Sequence, residues 1–598
     1  MKRQHIFKII AISIPFILLI IVEVVLRITS YGNDYQLFHT VRVDDRPDYL
    51  IMNKKLAGKY FKDDGLRSDN QSDLFLKTKT DSTFRVVVQG ASTVVGFPFY
   101  NGGSFPRILK HRLALTFPDK NIEVINTGIT AVNSYTLWDL TDEIIDQQPD
   151  LVIIYAGHNE YYGALGVGSS ISFGSHPLII RTYLTLKKLR LFQLAENGYY
   201  QLLANRSNKP SERETTLMEI LAKEQRIPFN SEVYEDGLEQ FEDNLGRILA
   251  AYKKNNIPVM LSTVVSNVKD IKPFISDSLP IKTDFLKTID GDKAMPTHMA
   301  KDNAMAAYLL GRHYLEKNRD SAMKYLQLAK ELDYLRFRAP EGINDRIVAL
   351  SEKYGNSLID MKKVFASHSL KSIVGNELMT EHVHPNIKGQ FLMADAFYEK
   401  IKELNFMTDW SNYIDFDEAF NNIPITRIDS LKGKLVVDDL KKSWPYEIGM
   451  TGKRPTSEYS GGSSFEELLA QDVHKNRVTW DNAMAIAYNT YKADKEYKKA
   501  LTVSESLILE YPEQGRVYQM AGTMSSKLGD FDKAVYYFSK FNYLEKSSVS
   551  AEELAEVLIK SGDMAFAEQT LKTAQKRGLQ VRNFDELVLE VTKESELH

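Results

Sequence analysis

The sequence contains no cysteine. Disulfides, thiolate metal sites and a cysteine nucleophile are therefore excluded, and so is a lipoprotein anchor, which requires an acylated cysteine. No segment is strongly basic and the net charge is −4, so the charge pattern gives no reason to expect a nucleic-acid partner. An A-x-A-like cleavage site is missing from Arg27-Ile28-Thr29-Ser30-Tyr31, where a signal peptidase would need one. What is present is an ordinary globular mixture: 43% hydrophobic and 26% charged residues over 598 positions. That length is too great for one core and calls for two or three domains.

The N-terminus carries Lys2, Arg3 and Lys8 ahead of an apolar run from Ile9 to Leu26, broken only by Ser13, Pro15 and Glu23. As a helix, such a run rises about 27 Å, just enough to cross the hydrocarbon core of a bilayer. Basic residues before it and a long soluble chain behind it predict the N-terminus inside and the remainder outside. Residues 1–30 are thus expected to be a transmembrane anchor; a cleaved signal peptide is the competing reading and leads to the same side of the membrane.

Residues 31–83 are polar and without sustained periodicity, and read as a connector with short elements. From Phe84 the texture changes. Short β-branched runs at 85–90, 122–126, 151–155, 258–265 and 357–361 alternate with helical spacing at 104–117, 134–147 and 233–252. Strands and helices in that rhythm predict an α/β fold, a parallel sheet covered on both faces. Two helical insertions interrupt it, at about 165–230 and 295–335. The leucine- and tyrosine-rich stretch from Leu178 to Leu203 reads as a helical pair packed on its own domain, with a lid or an interfacial membrane helix as alternatives.

Residues 409–478 form a bracing connector, and residues 479–598 repeat. Small residues recur at Ala500, Ala534 and Ala567 with aromatic and glycine positions between them, a period of about 34 residues typical of tetratricopeptide helix pairs. Such repeats serve as partner-binding grooves or as packing elements, so a protein partner is one expectation for them.

Four blocks sit just beyond predicted elements, where α/β folds place their sites. They are Gly90-Ala91-Ser92-Thr93, Asn126-Thr127-Gly128, Gly157-His158-Asn159-Glu160 and Glu381-His382-Val383-His384-Pro385-Asn386. A serine hydroxyl becomes a nucleophile when a base in hydrogen-bond reach accepts its proton, and the resulting tetrahedral oxyanion needs fixed donors. His382 and His384 alternate as metal ligands on a strand do, but no third ligand lies nearby, and neither a metal nor a cofactor is expected. His158 and Glu160 read as site-wall residues flanking Asn159.

In order and context the four blocks resemble the Ser, Gly, Asn and His blocks of the SGNH, or GDSL-like, hydrolase superfamily over residues 84–408, the insertions excepted. The resemblance implies a three-layer sheet with Ser92 as nucleophile, His384 as base and Glu381 as the acid that orients it. The oxyanion hole would combine the Ser92 and Gly128 backbone N–H groups with the Asn159 amide. Two positions depart from the usual pattern: Ala91 replaces an aspartate, and the acid is a glutamate.

Gly157-His158-Asn159-Glu160-Tyr161-Tyr162-Gly163 and Leu335-Arg336-Phe337-Arg338-Ala339-Pro340, taken with the histidine block, look like bacterial membrane-anchored SGNH proteins fused to tetratricopeptide repeats. That resemblance implies a single-pass protein of the bacterial cytoplasmic membrane with its bulk in the periplasm or outside the cell. An esterase acting on acyl groups, acetyl foremost, of an envelope or exported glycan is the function it implies. An O-acyltransferase using the same residues, or a non-catalytic scaffold, are the alternatives. Arg336 and Arg338 read as structural ion-pair partners, or as holders of an anionic group.

Overall fold

The computed structural model describes residues 2–43, 46–61, 73–170, 176–204, 217–222, 226–278, 298–447, 456–459, 463–582 and 584–597. Helix α1 (Lys2–Ile28) leads into a small antiparallel sheet of β1 (Phe38–Val41), β2 (Tyr49–Met52) and β3 (Phe75–Leu76). This sheet is more than a connector. Leu37, Phe38, Met52, Phe61 and Phe75 are buried in the same core as the main sheet. Elements of two to four residues are too short to show a period, which is why the stretch reads as a connector with short elements.

The main sheet is wholly parallel. It is built from β4 (Thr83–Gly90), β5 (Asn121–Asn126), β6 (Leu151–Tyr155), β7 (Val259–Ser262) and β8 (Ser357–Ile359), in the order β5-β4-β6-β7-β8. Every residue of β4, β6 and β7 is buried, as apolar runs without alternation require. The connecting elements are α2 (Ser92–Val95), α3 (Phe105–Thr116) and α4 (Ser134–Ile145). Because β4 lies between β5 and β6, right-handed crossovers place α3 and α4 on opposite faces.

The first insertion holds α5 (Pro177–Leu186), α6 (Arg190–Ala204) and α7 (Leu217–Leu221), and is followed by α8 (Glu232–Lys254). The pair α5–α6 packs on its own domain: among the described residues its contacts run to α4, to α8 through Arg181 with Asn244, and to α1. Glu23 of α1 accepts from the backbone N–H groups of Arg190 and Leu191 at 3.0 and 2.7 Å, tying α6 to the end of α1. Among the described residues no helix is long and apolar enough to cross a membrane; the side chains of Ile9, Ile10 and Ala11, which open the expected anchor, lie outside those residues.

The second insertion is the helix pair α9 (Ala304–Tyr314) and α10 (Arg319–Leu332), followed by α11 (Glu341–Tyr354), α12 (Met361–Ser367) and α13 (Ile387–Glu403). Packing of α13 against α3 on one face and of α8 against α4 and α11 on the other completes three layers.

Downstream come α14 (Phe416–Asn421), α15 (Arg427–Lys441) and α16 (Phe465–His474). Stacked helix pairs follow: α17 (Trp480–Ala493) with α18 (Tyr497–Glu510), α19 (Gly515–Lys527) with α20 (Phe531–Glu545), α21 (Ser548–Ser561) with α22 (Met564–Lys576), and a last helix, α23 (Phe584–Leu597). Ala500, Ala534 and Ala567 are fully buried. The helical array leans on the α/β part directly as well as through residues 409–478. Glu510 pairs with the buried Arg107 of α3 and accepts from Asn101 at 2.7 Å, and Arg46 reaches Glu513 at 3.1 Å.

Candidate active site

Strand β4 ends at Gly90, and Ser92 opens the short helix α2 at its mouth. A side chain at Gly90 would meet Tyr155 O and Val94 Cγ2, each at 2.3 Å, so only glycine lets the turn fold this tightly over β6. On the far side, Asn386 caps α13 by accepting from Gly389, and Thr380 donates through both its N–H and its hydroxyl to the carbonyl of His384. Gln390, one turn into α13, accepts from Phe105 N–H at 2.9 Å and donates to Thr93 O at 3.3 Å. The serine turn and the histidine loop are thus clamped together by one buried amide.

The result is a continuous hydrogen-bonded chain. Ser92 Oγ lies 2.6 Å from His384 Nε2, and His384 Nδ1 bonds Glu381 Oε1. The network assigns the tautomer: Nδ1–H donates to the carboxylate, leaving Nε2 to accept from the serine. Glu381 is fully buried. It also accepts from the backbone N–H groups of His384 at 2.8 Å and His382 at 2.6 Å, and from the Tyr446 hydroxyl at 2.8 Å. Burial disfavours the His384 imidazolium and pushes its pKa below the ordinary histidine value, so the ring is neutral at rest. Phe97 packs on that ring at 4.6 Å between centroids and forms an apolar wall of the site.

The expected oxyanion donors are placed unequally. Asn159 lies four residues beyond the end of β6, the strand next to β4, and its side-chain amide has no hydrogen-bond partner among the described residues. Gly128 is different: its N–H donates to Asn126 Oδ1 at 2.9 Å, while Asn126 Nδ2 donates to Val94 O at 2.6 Å. The third expected donor is therefore engaged within its own turn. Glycine is still required there, because a Cβ would sit 2.9 Å from Val95 N.

His158 is committed on both nitrogens: Nδ1 accepts from Ala339 N–H at 3.2 Å and Nε2 donates to Val265 O at 3.0 Å. Burial, with His384 adding to it, holds its pKa down to about 3. Glu160 accepts from Ser134 and from Gln240 of α8, and burial raises its pKa to about 7. Arg338 pairs with Asp333 at 3.0 Å; Arg336 has no carboxylate partner among the described residues and donates instead to the carbonyls of Ile227 and Glu331, with its guanidinium over the Tyr234 ring. Sequence reasoning gives Gln390 and Tyr446 no part in the site: Trp444-Pro445-Tyr446 stands out only as an aromatic and proline signal of the bracing connector. Neither lies in a motif, and Tyr446 is 65 residues from the carboxylate it touches.

No protein-family profile matches the chain, and no curated protein matches it. Among solved structures it is similar to the acetylxylan esterase Axe2 of Geobacillus stearothermophilus, at 13% identity over 55% of this chain and 95% of that one, with a TM-score of 0.25. A GDSL-like lipase of Bacteroides thetaiotaomicron is similar at 12% identity, covering 55% and 93% of the two chains, with a TM-score of 0.25. LAE5, an alpha/beta hydrolase enzyme from the metagenome of Lake Arreo, is similar at 14% identity, covering 55% and 98%, with a TM-score of 0.26. Likeness at this level transfers no activity, substrate or partner.

Proposed function

We propose that the chain is a serine esterase of the SGNH type, in which Ser92 attacks an ester carbonyl. The observation that carries the reading is the unbroken Ser92–His384–Glu381 hydrogen-bonded chain at the open end of a parallel sheet. In the forward step the Ser92 hydroxyl proton passes to His384 Nε2 as the Oγ–carbon bond forms, and Glu381 balances the charge appearing on the ring. The Ser92 N–H and the Asn159 amide receive the oxyanion. Gly128 joins them when its N–H exchanges Asn126 for the oxyanion. The bond to the leaving alcohol breaks as His384 hands it the proton; water, deprotonated by the same ring, then adds to the acyl carbon, and the Ser92 Oγ–carbon bond breaks as Oγ takes that proton back from His384.

The substrate we propose is an acyl ester, acetyl foremost, of an envelope or exported glycan, and the setting is the outer side of a bacterial cytoplasmic membrane. Two surfaces support the setting. On α1 the apolar side chains are turned outward, with Ile12 65%, Phe16 63% and Ile20 62% exposed. On α6, joined to it by Glu23, Gln193 is buried, while Leu194, Tyr199 and Leu202 are exposed. A helix that buries Gln193 and exposes Leu194, Tyr199 and Leu202 beside an apolar helix suits a lipid surface better than water. The helix-pair array is proposed to be of the tetratricopeptide type and to hold a protein partner.

Aryl-acetate hydrolysis by the full chain tests the chemistry, with His384→Ala as control: turnover that survives the substitution would remove the proposal. Mass spectrometry of acetylated glycan oligomers incubated with the protein tests the acceptor. Loss of acyl mass supports hydrolysis; transfer to an added acceptor glycan would replace esterase with transferase. Membrane fractionation of the full chain against residues 32–598 tests the anchor, which fails if both remain in the soluble fraction.

A further inference from the structure

The carboxylate of Glu381 has two oxygens with different duties. Oε1 takes the N–H and the Nδ1 of His384. Oε2 takes the N–H of His382 at 2.6 Å and the hydroxyl of Tyr446 at 2.8 Å. The same hydroxyl lies 2.6 Å from His382 Nδ1, so it accepts from that ring while donating to the carboxylate. A buried carboxylate turns about its last bond unless both oxygens are held; here the second oxygen is held by His382, whose Nδ1 also contacts it, and by a residue from outside the α/β domain.

Tyr446 arrives by a short route from the helical array. Ile428 and Leu431 of α15 belong to the apolar core shared with the repeats, and the chain needs only Lys442 to Pro445 to bring Tyr446 from the end of α15 to Glu381. An aromatic cluster fixes its arrival. Tyr446 lies edge-on to Phe274 at 5.2 Å and to His382 at 5.8 Å, and Trp444 to Phe337 at 5.9 Å. Tyr446 N–H also donates to Ser443 O at 2.9 Å.

We infer that Tyr446 is a positioning residue for the acid of the site, and that the segment joining the helical array to the α/β domain completes the Ser92–His384–Glu381 unit. The inference rests on the serine reading above. Its action is indirect: Tyr446 touches neither Ser92 nor the substrate, and it keeps Oε1 of Glu381 aimed at Nδ1 of His384. Without the hydroxyl the carboxylate loses one of its charge-assisted bonds, and His384 loses its fixed tautomer for part of the time.

The test uses the full chain with Tyr446→Phe, which keeps the ring and its aromatic contacts, and Tyr446→Ala, which loses both. Two quantities are read. One is the rate at which a fluorophosphonate labels the protein, with Ser92→Ala as control. The other is the downfield proton resonance of the His384 Nδ1–H, identified by its loss in His384→Ala. Tyr446→Phe is expected to slow labelling by roughly ten- to a hundredfold, the scale of one hydrogen bond to a charged group, and to move the resonance upfield. Tyr446→Ala is expected to do no less. A Tyr446→Phe protein whose resonance stays at the wild-type position overturns the inference, whatever its labelling rate. Should Ser92→Ala label like wild type, the serine reading fails separately, and the resonance still decides the role of Tyr446.

Discussion

Ser92 Oγ and His384 Nε2 stand 2.6 Å apart although 292 residues separate them in the chain. Gln390 holds the two loops in that relation through Phe105 and Thr93, and the neutral state of the buried ring makes it ready to accept the serine proton.

That neutral state sets the pH dependence. The base works when deprotonated, and burial moves its pKa below 6.5. Activity is therefore present at neutral pH and is lost as pH falls through the depressed value. A kcat/KM profile on an aryl ester should keep its plateau below pH 6.5; an acid limb centred at or above the ordinary histidine value would contradict this.

Glu381→Gln keeps the shape of the acid and removes its charge. The amide offers a donor toward His384 Nδ1 and favours the wrong tautomer, so kcat should fall by about 10³–10⁴ with the fold retained. Circular dichroism checks the fold and steady-state kinetics the loss.

Asn159→Ala removes an amide that has no other partner among the described residues. A donor used only by the oxyanion is worth about 2.7–4 kcal/mol in the transition state, so kcat should drop by about 10²–10³ while KM changes little. A rise in KM with kcat unchanged would mean that Asn159 binds the ground state as strongly as the transition state.

At Gly90 a Cβ would lie 2.3 Å from both Tyr155 O and Val94 Cγ2. Gly90→Ala must displace β6 or the serine turn, at a cost of about 1–3 kcal/mol for overpacking, and should weaken fluorophosphonate labelling in the protein that still folds. Denaturant unfolding measures the first effect.

Much of this arrangement was legible in the residues, and the reasons are local. The runs around Val86-Val87-Val88 and Val152-Ile153-Ile154 are buried strands because no polar residue interrupts them. Ser92 and His384 could be read because each sits in a short block at the end of an element. Three features could not. The sheet β1–β3 has strands too short for a period. Asn126 has side-chain reach to Gly128 N–H that depends on the turn, not on spacing. Tyr446 meets Glu381 only because α15 packs into the repeat core and so aims the next residues at the site.

The central claim is that Ser92 is a nucleophile activated by His384. Fluorophosphonate treatment of the full chain, followed by peptide mass spectrometry, tests it most directly. One phosphonyl adduct on the peptide containing Ser92, absent from Ser92→Ala and strongly diminished in His384→Ala, is the predicted result. An unlabelled wild-type protein, or labelling that persists in Ser92→Ala, would contradict it.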